Sequence, residues 1–508
     1  MHAEATAARE FESERDDQPA APSFDNSYAR LPDRFFARQE PSPVPAPRLI
    51  RINRPLAAEL GLDSDWLESA AGIDMLSGNR FPDTAQPIAL AYAGHQFGNF
   101  VPQLGDGRAL LVGEVIDANG TRRDIQLKGS GPTRFSRNGD GRAALGPVLR
   151  EYIVSEAMAA LGIPTARTLA AVLTGDPVYR ETRLPGAVVT RVAASHVRIG
   201  TFQFFAVRRD VEALKTLADY VIGRHYPALA ERDDSYLALL EAVIVAQAEL
   251  VARWMQVGFI HGVMNTDNMT VSGETIDYGP CAFMDAYDPA AVFSSIDVQG
   301  RYAYANQPRI AAWNLTRFAE TLLPLLDDDE NTAIGKAEGA LKTFQPAYQA
   351  AFHGGLRRKF GLLSEQEGDI ALMGDLFGIM AANRADFTLT FRGLADEFDA
   401  QAGERAARAL FADPAAFDGW ADRWRRRMDQ EADKHSSREA MLAVNPKYIP
   451  RNHRVEAVIK AAVEREDFAP FEEMLSVTGK PFDEQPAMAH YALPPREEER
   501  VLQTFCGT

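Results

Sequence analysis

One polar segment, placed directly after the longest apolar stretch of the chain, most constrains the fold. The stretch from Leu237 to Ile260 is apolar enough for a buried helix, and it leads into His261-Gly262-Val263-Met264-Asn265-Thr266-Asp267-Asn268. Nine residues after Asn268 comes Asp277-Tyr278-Gly279. Carboxylate and amide oxygens at these positions are the hard ligands that Mg²⁺ and Mn²⁺ prefer. The segment therefore predicts a metal-binding loop that follows a long core helix.

The spacing of this segment is that of a protein-kinase catalytic loop, His-x-Asp-x-x-x-x-Asn, followed by the metal-binding Asp-x-Gly. His261, Asn268 and Asp277 occupy matching positions, and we expect His261 to be architectural. Val263 stands where a kinase has its catalytic Asp, and a valine cannot accept a proton. The pattern predicts a chain that binds a nucleotide and a metal without ordinary kinase chemistry.

Composition excludes several classes of protein. The 508 residues are 46% hydrophobic and 25% charged, which is ordinary for a globular protein. A net charge of −17 argues against nucleic acid as the main partner, because binding to phosphates requires clustered Lys and Arg. Two cysteines exclude a disulfide framework and a Cys-rich zinc module.

The apolar segments predict a cytoplasmic protein. The first 25 residues have neither the apolar core nor the basic start of a secretory signal. No uninterrupted apolar run reaches the roughly 18 residues that a membrane span needs. The longest candidate is interrupted by Glu241, Gln247, Glu249, Arg253 and Gln256. We therefore expect a cytoplasmic protein without a membrane partner. Separately, we expect a monomer.

The chain changes from a strand pattern to a helical pattern along its length. Apolar runs and alternation predict strands over 109–115, 124–128 and 186–192, and helices over 146–161 and 235–257. This order is that of an α+β, kinase-like fold with a strand-rich N-lobe and a helical C-lobe. We predict a disordered tail at 1–25, an N-terminal extension and N-lobe at 26–200, a C-lobe with the metal site at 201–430, and a C-terminal extension and tail at 431–508.

A strand lysine and a helix glutamate are candidates for the ion pair that steers a kinase lysine onto phosphates. Lys128 ends the predicted strand, and both Glu151 and Glu156 lie on the predicted helix that follows. Helical periodicity alone does not decide between the two glutamates. Such pairs are also common in purely structural roles. The functional interpretation is favoured here because the lysine and the glutamates precede the predicted metal loop in the order found in kinases.

Two glycine-rich segments are candidate phosphate loops, because glycine lets backbone N–H groups approach an anion. They are Gly105-Asp106-Gly107-Arg108 and Asn138-Gly139-Asp140-Gly141-Arg142, and neither is followed by the Gly-Lys-Ser/Thr of a P-loop. Plain tight turns are the alternative interpretation. Arg191 and Arg198 could point into the same cleft or could be solvated surface residues.

Several longer motifs carry a family resemblance. They are Phe24-x-Asn26-Ser27-Tyr28-Ala29, Tyr92-Ala93-Gly94-His95-Gln96-Phe97-Gly98, Gln103 to Arg108, Gln126 to Thr133, Ser136 to Arg142, His261 to Met269, Ile276 to Pro280 and Asn445-Pro446. With these motifs the chain resembles the selenoprotein O family, kinase-fold proteins that act as protein adenylyltransferases. The resemblance covers nearly the whole ordered chain.

The resemblance implies a role for each matching residue. It assigns nucleotide binding to Gly105, Gly107, Arg108, Lys128, Asp140, Gly141, Arg191, Arg198 and Asp277, with Glu151 as the ion-pair partner of the lysine. It makes Asp267 the general base and Asn268 and Asp277 the ligands of Mg²⁺ or Mn²⁺. Members of the family are understood to hold ATP inverted relative to kinases, which presents the α-phosphorus for transfer.

The resemblance favours transfer of AMP from ATP, as co-substrate, to Ser, Thr or Tyr hydroxyls of proteins, with release of pyrophosphate. Three alternatives stay open. They are transfer of UMP from UTP by the same site, a phosphotransferase that uses Asp267 as its base, and a nucleotide-binding scaffold without catalysis.

The two cysteines, Cys281 and Cys506, suggest a possible redox switch. Some members of the family carry selenocysteine near the C-terminus, and this chain has Cys506 there, as expected for a bacterial-type member. A disulfide to Cys281 would tether the tail beside the metal site. Two unrelated thiols in a reducing cytosol are the alternative.

Overall fold

The computed structural model describes residues 20–40, 42–398 and 406–505. It is an α+β structure with a sheet-rich N-terminal region and a helical C-terminal region, as the sequence predicts. Ordered chain is already present before residue 26, because Phe24 is buried and its backbone N–H donates to Thr84 Oγ1 at 3.2 Å. Residues 1–19 of the predicted disordered tail lie outside the described residues.

The N-terminal region contains ten strands and four helices among the described residues. In chain order they are β1 (Phe36–Arg38), β2 (Arg48–Ile52), α1 (Arg54–Glu59), α2 (Ser64–Glu68), α3 (Ala70–Ser77), β3 (Ile88–Leu90), β4 (Gly94–Gln96), β5 (Asn99–Val101), β6 (Ala109–Ile116), β7 (Arg122–Lys128), β8 (Ala143–Ala144), α4 (Leu145–Ala160), β9 (Arg167–Tyr179) and β10 (Arg183–Ala193).

An antiparallel sheet organises this region, with the strand order β1-β3-β6-β7-β10-β9-β2 and with β8 paired to β10. In the register of β7 with β10, Lys128 lies opposite Val189 and Gln126 lies opposite Arg191. Alternate residues of a strand share one face of a sheet. Lys128, Gln126 and Arg191 therefore lie on the same face, near the centre of the sheet.

Helix α4 crosses that face of the sheet. Its buried side chains include Leu149, Tyr152 and Ile153, which pack in one core cluster with Val189 of β10. The periodicity of these residues is that of one helix face. Because Glu151 belongs to the same buried surface, the helix places a carboxylate against the sheet.

The helical region contains twelve helices and one short strand pair among the described residues. They are α5 (Ile199–Ala206), α6 (Val211–His225), α7 (Ser235–Val257), β11 (Phe259–Ile260), β12 (Ala282–Phe283), α8 (Gln307–Leu326), α9 (Glu330–Leu341), α10 (Phe344–Lys359), α11 (Asp369–Asn383), α12 (Phe387–Leu394), α13 (Pro414–Met428), α14 (Lys434–Val444), α15 (Asn452–Arg465) and α16 (Ala469–Thr478). Helices α15 and α16 return to pack against α4.

Helix α7 is the central helix of this region and packs against α8, α9 and α10. By length and composition alone it could cross a membrane, but 56% of its most apolar window is buried inside the protein. Glu241, Glu249 and Arg253, which interrupt its apolar pattern, are exposed. Its apolar character is therefore accounted for by packing in the core.

The predicted elements match these ones closely. The strands predicted over 109–115, 124–128 and 186–192 are β6, β7 and β10, and the two predicted helices are α4 and α7. Every predicted end lies within three residues of the observed end. The signals were strong because buried strands and amphipathic helices carry clear hydrophobic periods.

Candidate active site

A cavity of about 490 Å³ lies between the ends of β6, β7 and β10 and the loops around residues 261–279. The residues to which the sequence assigns nucleotide, metal or base roles all line it: Gly105, Gly107, Arg108, Lys128, Asp140, Gly141, Arg191, Arg198, Asp267, Asn268 and Asp277. Residues that are up to 172 positions apart in the chain therefore converge on one cleft.

Lys128 and Glu151 form a buried ion pair, with 2.6 Å between Nζ and Oε2. Arg191 donates to the other carboxylate oxygen of Glu151, Oε1. Burial alone would raise the pKa of Glu151, but the two cations outweigh burial and lower it. Glu156 is excluded as the partner because it pairs with Arg167 at 2.7 Å. Of the two candidate glutamates, the geometry selects Glu151.

Three cations surround the carboxylate of Asp277. Arg191 donates to Oδ1 at 2.6 Å, Arg198 donates to Oδ2 at 2.9 Å, and Lys128 Nζ lies 3.9 Å from Oδ1. Burial opposes ionisation, but these charges hold the pKa of Asp277 well below its usual range. The residue also has a φ of 60°, a left-handed conformation that costs energy in a non-glycine residue. The site thus fixes an ionised carboxylate in the cleft.

Asn268 and Asp277 form a donor set that suits a hard divalent cation. The side-chain amide of Asn268 donates to the carbonyl of Val263 at 2.9 Å, which fixes the amide and leaves its oxygen as a possible ligand. Each oxygen of Asp277 still has lone pairs beyond its arginine contact. The described residues contain no group of three or more His, Cys, Asp or Glu that could hold a metal alone. Two protein ligands fit Mg²⁺ that is shared with phosphates.

Asp267 lies in a short 3₁₀ turn, Thr266–Asn268, and is only 6% exposed. Gln96 Nε2 donates to its Oδ2 at 3.2 Å, whereas its Oδ1 has no hydrogen-bond partner among the described residues. Burial raises the pKa of Asp267 to about 6. A carboxylate with this pKa can accept a proton near neutral pH, which is what a general base requires.

Val263 and His261, which occupy the positions of the kinase base and the kinase histidine, are both buried. Val263 is buried at the wall of the cavity and offers no proton acceptor. His261 is buried, and its Nε2 lies 3.0 Å from the carbonyl oxygen of Ile276. This contact ties the start of the catalytic loop to the strand-like residues before Asp277. The geometry supports the architectural role expected for His261.

Residues 133–136, which precede the second glycine-rich segment, pack on the first segment at one wall of the cavity. Gly105 has a φ of 112°, and a Cβ there would lie 2.4 Å from the ring of Phe135. Ser136 Oγ donates to the carbonyl of Gly107, and Thr133 Oγ1 donates to that of Asp106 at 2.6 Å. The first segment is thus more than an isolated turn, because residues 133–136 pack against it.

Asp140 lines the cavity, and Arg180 fixes the position of its carboxylate. Arg180 donates to both of its carboxylate oxygens, at 2.7 and 3.1 Å, and lowers its pKa. Gly141 has a φ of 67°, and a Cβ there would lie 2.1 Å from the backbone of Gly131. Only glycine fits at residue 141.

Four residues that the sequence analysis assigned no role also belong to the site. Tyr92 lies under Arg198, with 4.5 Å from Cζ to the ring centre, and buried Asp106 lies 3.7 Å from the same guanidinium. Gln96 holds Asp267, and Arg180 holds Asp140. Tyr92 and Gln96 fall within a quoted motif and Asp106 lies between two glycines, but only the fold brings these positions to the cleft.

The described residues contain no disulfide. Cys281 is buried and unpaired among the described residues, and burial raises the pKa of its thiol to about 12. Cys506 lies outside the described residues. Thr504 Oγ1 donates to the carbonyl of Pro280 at 2.6 Å, so the described end of the chain lies beside the metal motif. The disulfide stays a prediction.

Comparison with known proteins shows the family of the chain. The family profile described as "Protein adenylyltransferase SelO" matches residues 20–478. Proteins named "Protein nucleotidyltransferase YdiU" are 66% identical over 486 residues in Rhodopseudomonas palustris (strain BisB18) and 64% identical over 495 residues in Methylorubrum populi. Each alignment covers 96% of this chain and 99% of the relative.

The cleft and these relatives define the class of protein: it is a protein nucleotidyltransferase. Within that class the chain belongs to the SelO family, as its motifs predict.

Proposed function

We propose that the protein transfers AMP from ATP to Ser, Thr or Tyr hydroxyls of other proteins. The observation that carries this proposal is the position of the available carboxylate. Val263 replaces the kinase base, whereas Asp267 lines the cavity with a pKa of about 6 and an unpartnered oxygen. The nucleotide must therefore present its reacting phosphorus to a different place from the one that kinases use.

We also infer a kinase-like, two-lobed arrangement. The ion pair between Lys128 on β7 and Glu151 on α4 supports it, as does the order of the catalytic loop and the Asp-x-Gly motif after α7. In this arrangement the sheet supplies the phosphate-binding cations and the helical region supplies Asp267, Asn268 and Asp277.

Each residue of the cleft then has a role. Lys128, Arg191 and Arg198 bind phosphate oxygens, and the glycine-rich segments bring backbone N–H groups close to them. Asn268 and Asp277 would hold Mg²⁺ or Mn²⁺, which neutralises phosphate charge and orients the groups when bound. When the nucleotide binds, Arg191 and Arg198 give up part of their contact with Asp277 and bind the phosphates instead.

The proposed reaction is a displacement at the α-phosphorus. Asp267 accepts the proton of the acceptor hydroxyl, and the hydroxyl oxygen forms a bond to the α-phosphorus. The bond from that phosphorus to the oxygen bridging to the β-phosphorus breaks, and pyrophosphate leaves. The cations of the cleft stabilise the negative charge that develops on the leaving group.

Transfer of label from ATP tests this function. The protein is incubated with an acceptor protein and with ATP that is labelled at either the α- or the γ-phosphate. Covalent label from the α-position alone supports the proposal, label from the γ-position supports a phosphotransferase, and binding without transfer supports a scaffold. The same assay with α-labelled UTP measures the preference between AMP and UMP.

A further inference from the structure

The hairpin β4–β5 lies along the candidate catalytic loop. The backbone N–H of His95 donates to Thr266 Oγ1 at 2.7 Å, and that of Phe97 donates to Asn265 Oδ1 at 3.0 Å. Between them, the side chain of Gln96 contacts Asp267. The hairpin therefore borders the carboxylate of Asp267.

Two arginines contact the same hairpin. A Cβ on Gly98, at the tip, would lie 3.5 Å from the Cζ of Arg301. Arg208 donates to the carbonyl of Pro102, just after the hairpin, at 3.1 Å. Neither guanidinium has a carboxylate within 4 Å among the residues that the structure describes.

Both guanidinium groups are held by uncharged partners instead. Arg208 also donates to the carbonyl of Phe204 at 2.8 Å and lies 3.6 Å over its ring, and Arg301 lies 4.8 Å over the ring of Trp313. The nearby acids are already used. Asp297 accepts from the backbone N–H groups of Arg301 and Tyr302, and Glu320 pairs with Arg317 at 2.6 Å. Two positive charges without an acidic partner among the described residues therefore lie beside the hairpin β4–β5.

The hairpin and the segment that precedes Arg301 also expose apolar side chains. Phe100 on β5 is 37% exposed, Ile296 is 59% exposed and Val298 is 91% exposed. Ile296 lines the nucleotide cavity itself. Exposed apolar side chains near two arginines without acidic partners among the described residues have the composition of a protein-binding surface, in which arginine and aromatic residues are enriched.

We propose that these residues form the acceptor surface (Phe100, Arg208, Ile296, Val298 and Arg301) and that it selects hydroxyls in acidic segments of the acceptor protein. The proposal rests on the proposed function, since it names the acceptor class of that site. Acidic side chains near the hydroxyl pair with Arg301 and Arg208, while the hydroxyl reaches Asp267. A purely structural Arg301, stacked 4.8 Å over Trp313, is the competing explanation.

Paired peptides test the acceptor surface. Each pair carries one Ser, Thr or Tyr flanked by either Asp or Lys, and label from α-labelled ATP gives kcat and KM for each. We expect the acidic member to have a KM about threefold to tenfold lower, in line with one or two partly exposed ion pairs. Arg301→Glu should reverse the preference, and Arg301→Lys should retain most of it.

The controls separate this proposal from the proposed function. Arg232→Glu reverses the charge of an exposed arginine outside the acceptor surface, and it should leave the preference unchanged. Binding of the acidic peptide, followed by fluorescence anisotropy, gives a second readout that needs no transfer. If α-label reaches the peptides equally well with Asp and Lys, and if Arg301→Glu binds the acidic peptide as wild type does, the acceptor surface is wrong. If only γ-label is transferred, the proposed function fails instead.

Discussion

Gln96 on β4 donates its side-chain amide to Oδ2 of Asp267 across 3.2 Å, although the two residues are 171 positions apart in the chain. The contact orients the carboxylate and leaves Oδ1 without a partner among the described residues. In the proposed function this carboxylate accepts the proton of the acceptor hydroxyl. The predictions below test this arrangement and the cations around it.

Asp267→Asn should lower the rate of transfer about 10²–10⁴-fold while nucleotide affinity stays near that of wild type, because a general base is lost and the shape is kept. Steady-state kinetics and nucleotide titration measure the two effects. Equal losses of binding and rate would show that Asp267 is a ligand or a structural residue. The wild-type rate should also fall as pH falls through about 6, since the base is then protonated.

The same substitution should stabilise the fold at neutral pH. Folding raises the pKa of Asp267 above its unfolded value, so the folded state favours the neutral form. The unfavourable burial of charge is absent below the unfolded pKa and is complete once the pH has risen through about 6. Asp267→Asn should thus gain up to roughly 3 kcal/mol in free energy of unfolding at pH 8, and little at pH 4. Denaturation at both pH values checks the difference.

Gly94→Ala should impair transfer through Asp267 without contact to the nucleotide. A Cβ at residue 94 would lie 2.5 Å from Asp267 Oδ1, so either the hairpin or the carboxylate must move. We expect kcat to fall at least tenfold with little change in nucleotide affinity. Gly223→Ala in α6 is the matched control, because its Cβ meets no atom within 4 Å. An unchanged kcat in Gly94→Ala would contradict the tight packing of β4 on the catalytic loop.

Asp277→Asn should abolish the stimulation of nucleotide binding and transfer by Mg²⁺ or Mn²⁺, because it removes the charged ligand. It should also destabilise the protein by roughly 3–5 kcal/mol at neutral pH, since Arg191 and Arg198 lose their anionic partner. Calorimetric titration with and without metal measures the first effect. Metal-dependent transfer at the wild-type level in folded Asp277→Asn would exclude Asp277 as a ligand.

Val263→Asp restores the residue that kinases have at this position, yet it should not produce γ-phosphoryl transfer. In the proposed function Lys128, Arg191 and Arg198 set the orientation of the nucleotide, and this substitution does not change them. Production of ADP together with phosphorylated acceptor is the measurement. Robust kinase activity in this variant would overturn the inverted orientation of ATP.

Cys281 should be unreactive in the folded protein. Its thiol is buried with a pKa raised to about 12, so thiolate is scarce at pH 8. Iodoacetamide followed by mass spectrometry should label Cys281 only after denaturation. Rapid labelling in the native protein, or a shift in mobility on a non-reducing gel after mild oxidation, would instead favour the disulfide with Cys506.

Many of the residues that line the cleft lie in motifs with a fixed spacing, whereas Arg191 and Arg198 lie outside the motifs and were assigned by the family resemblance. The spacing of His261, Asn268 and Asp277 predicts the metal loop, and the strand and helix periods predicted the elements that carry Lys128 and Glu151. The choice between Glu151 and Glu156 needed the structure. Both lie on α4, and only the register of the helix against the sheet decides which one meets the lysine.

Long-range packing accounts for what the sequence could not predict. No local pattern shows that Gln96 meets Asp267 or that Arg180 meets Asp140, since these contacts join different elements. The unpaired state of Arg301 is likewise a property of its three-dimensional neighbours. Such contacts follow from the tertiary structure, which periodicity does not specify.

The mass added to an acceptor hydroxyl tests the central claim most directly, namely that Asp267 directs the hydroxyl to the α-phosphorus. Acceptor protein is incubated with ATP and Mg²⁺ and is then analysed by intact-mass spectrometry, while pyrophosphate and ADP are assayed in parallel. We predict addition of an adenylyl group with an equal amount of pyrophosphate, and loss of both in Asp267→Asn. Addition of a phosphoryl group with an equal amount of ADP would contradict the account.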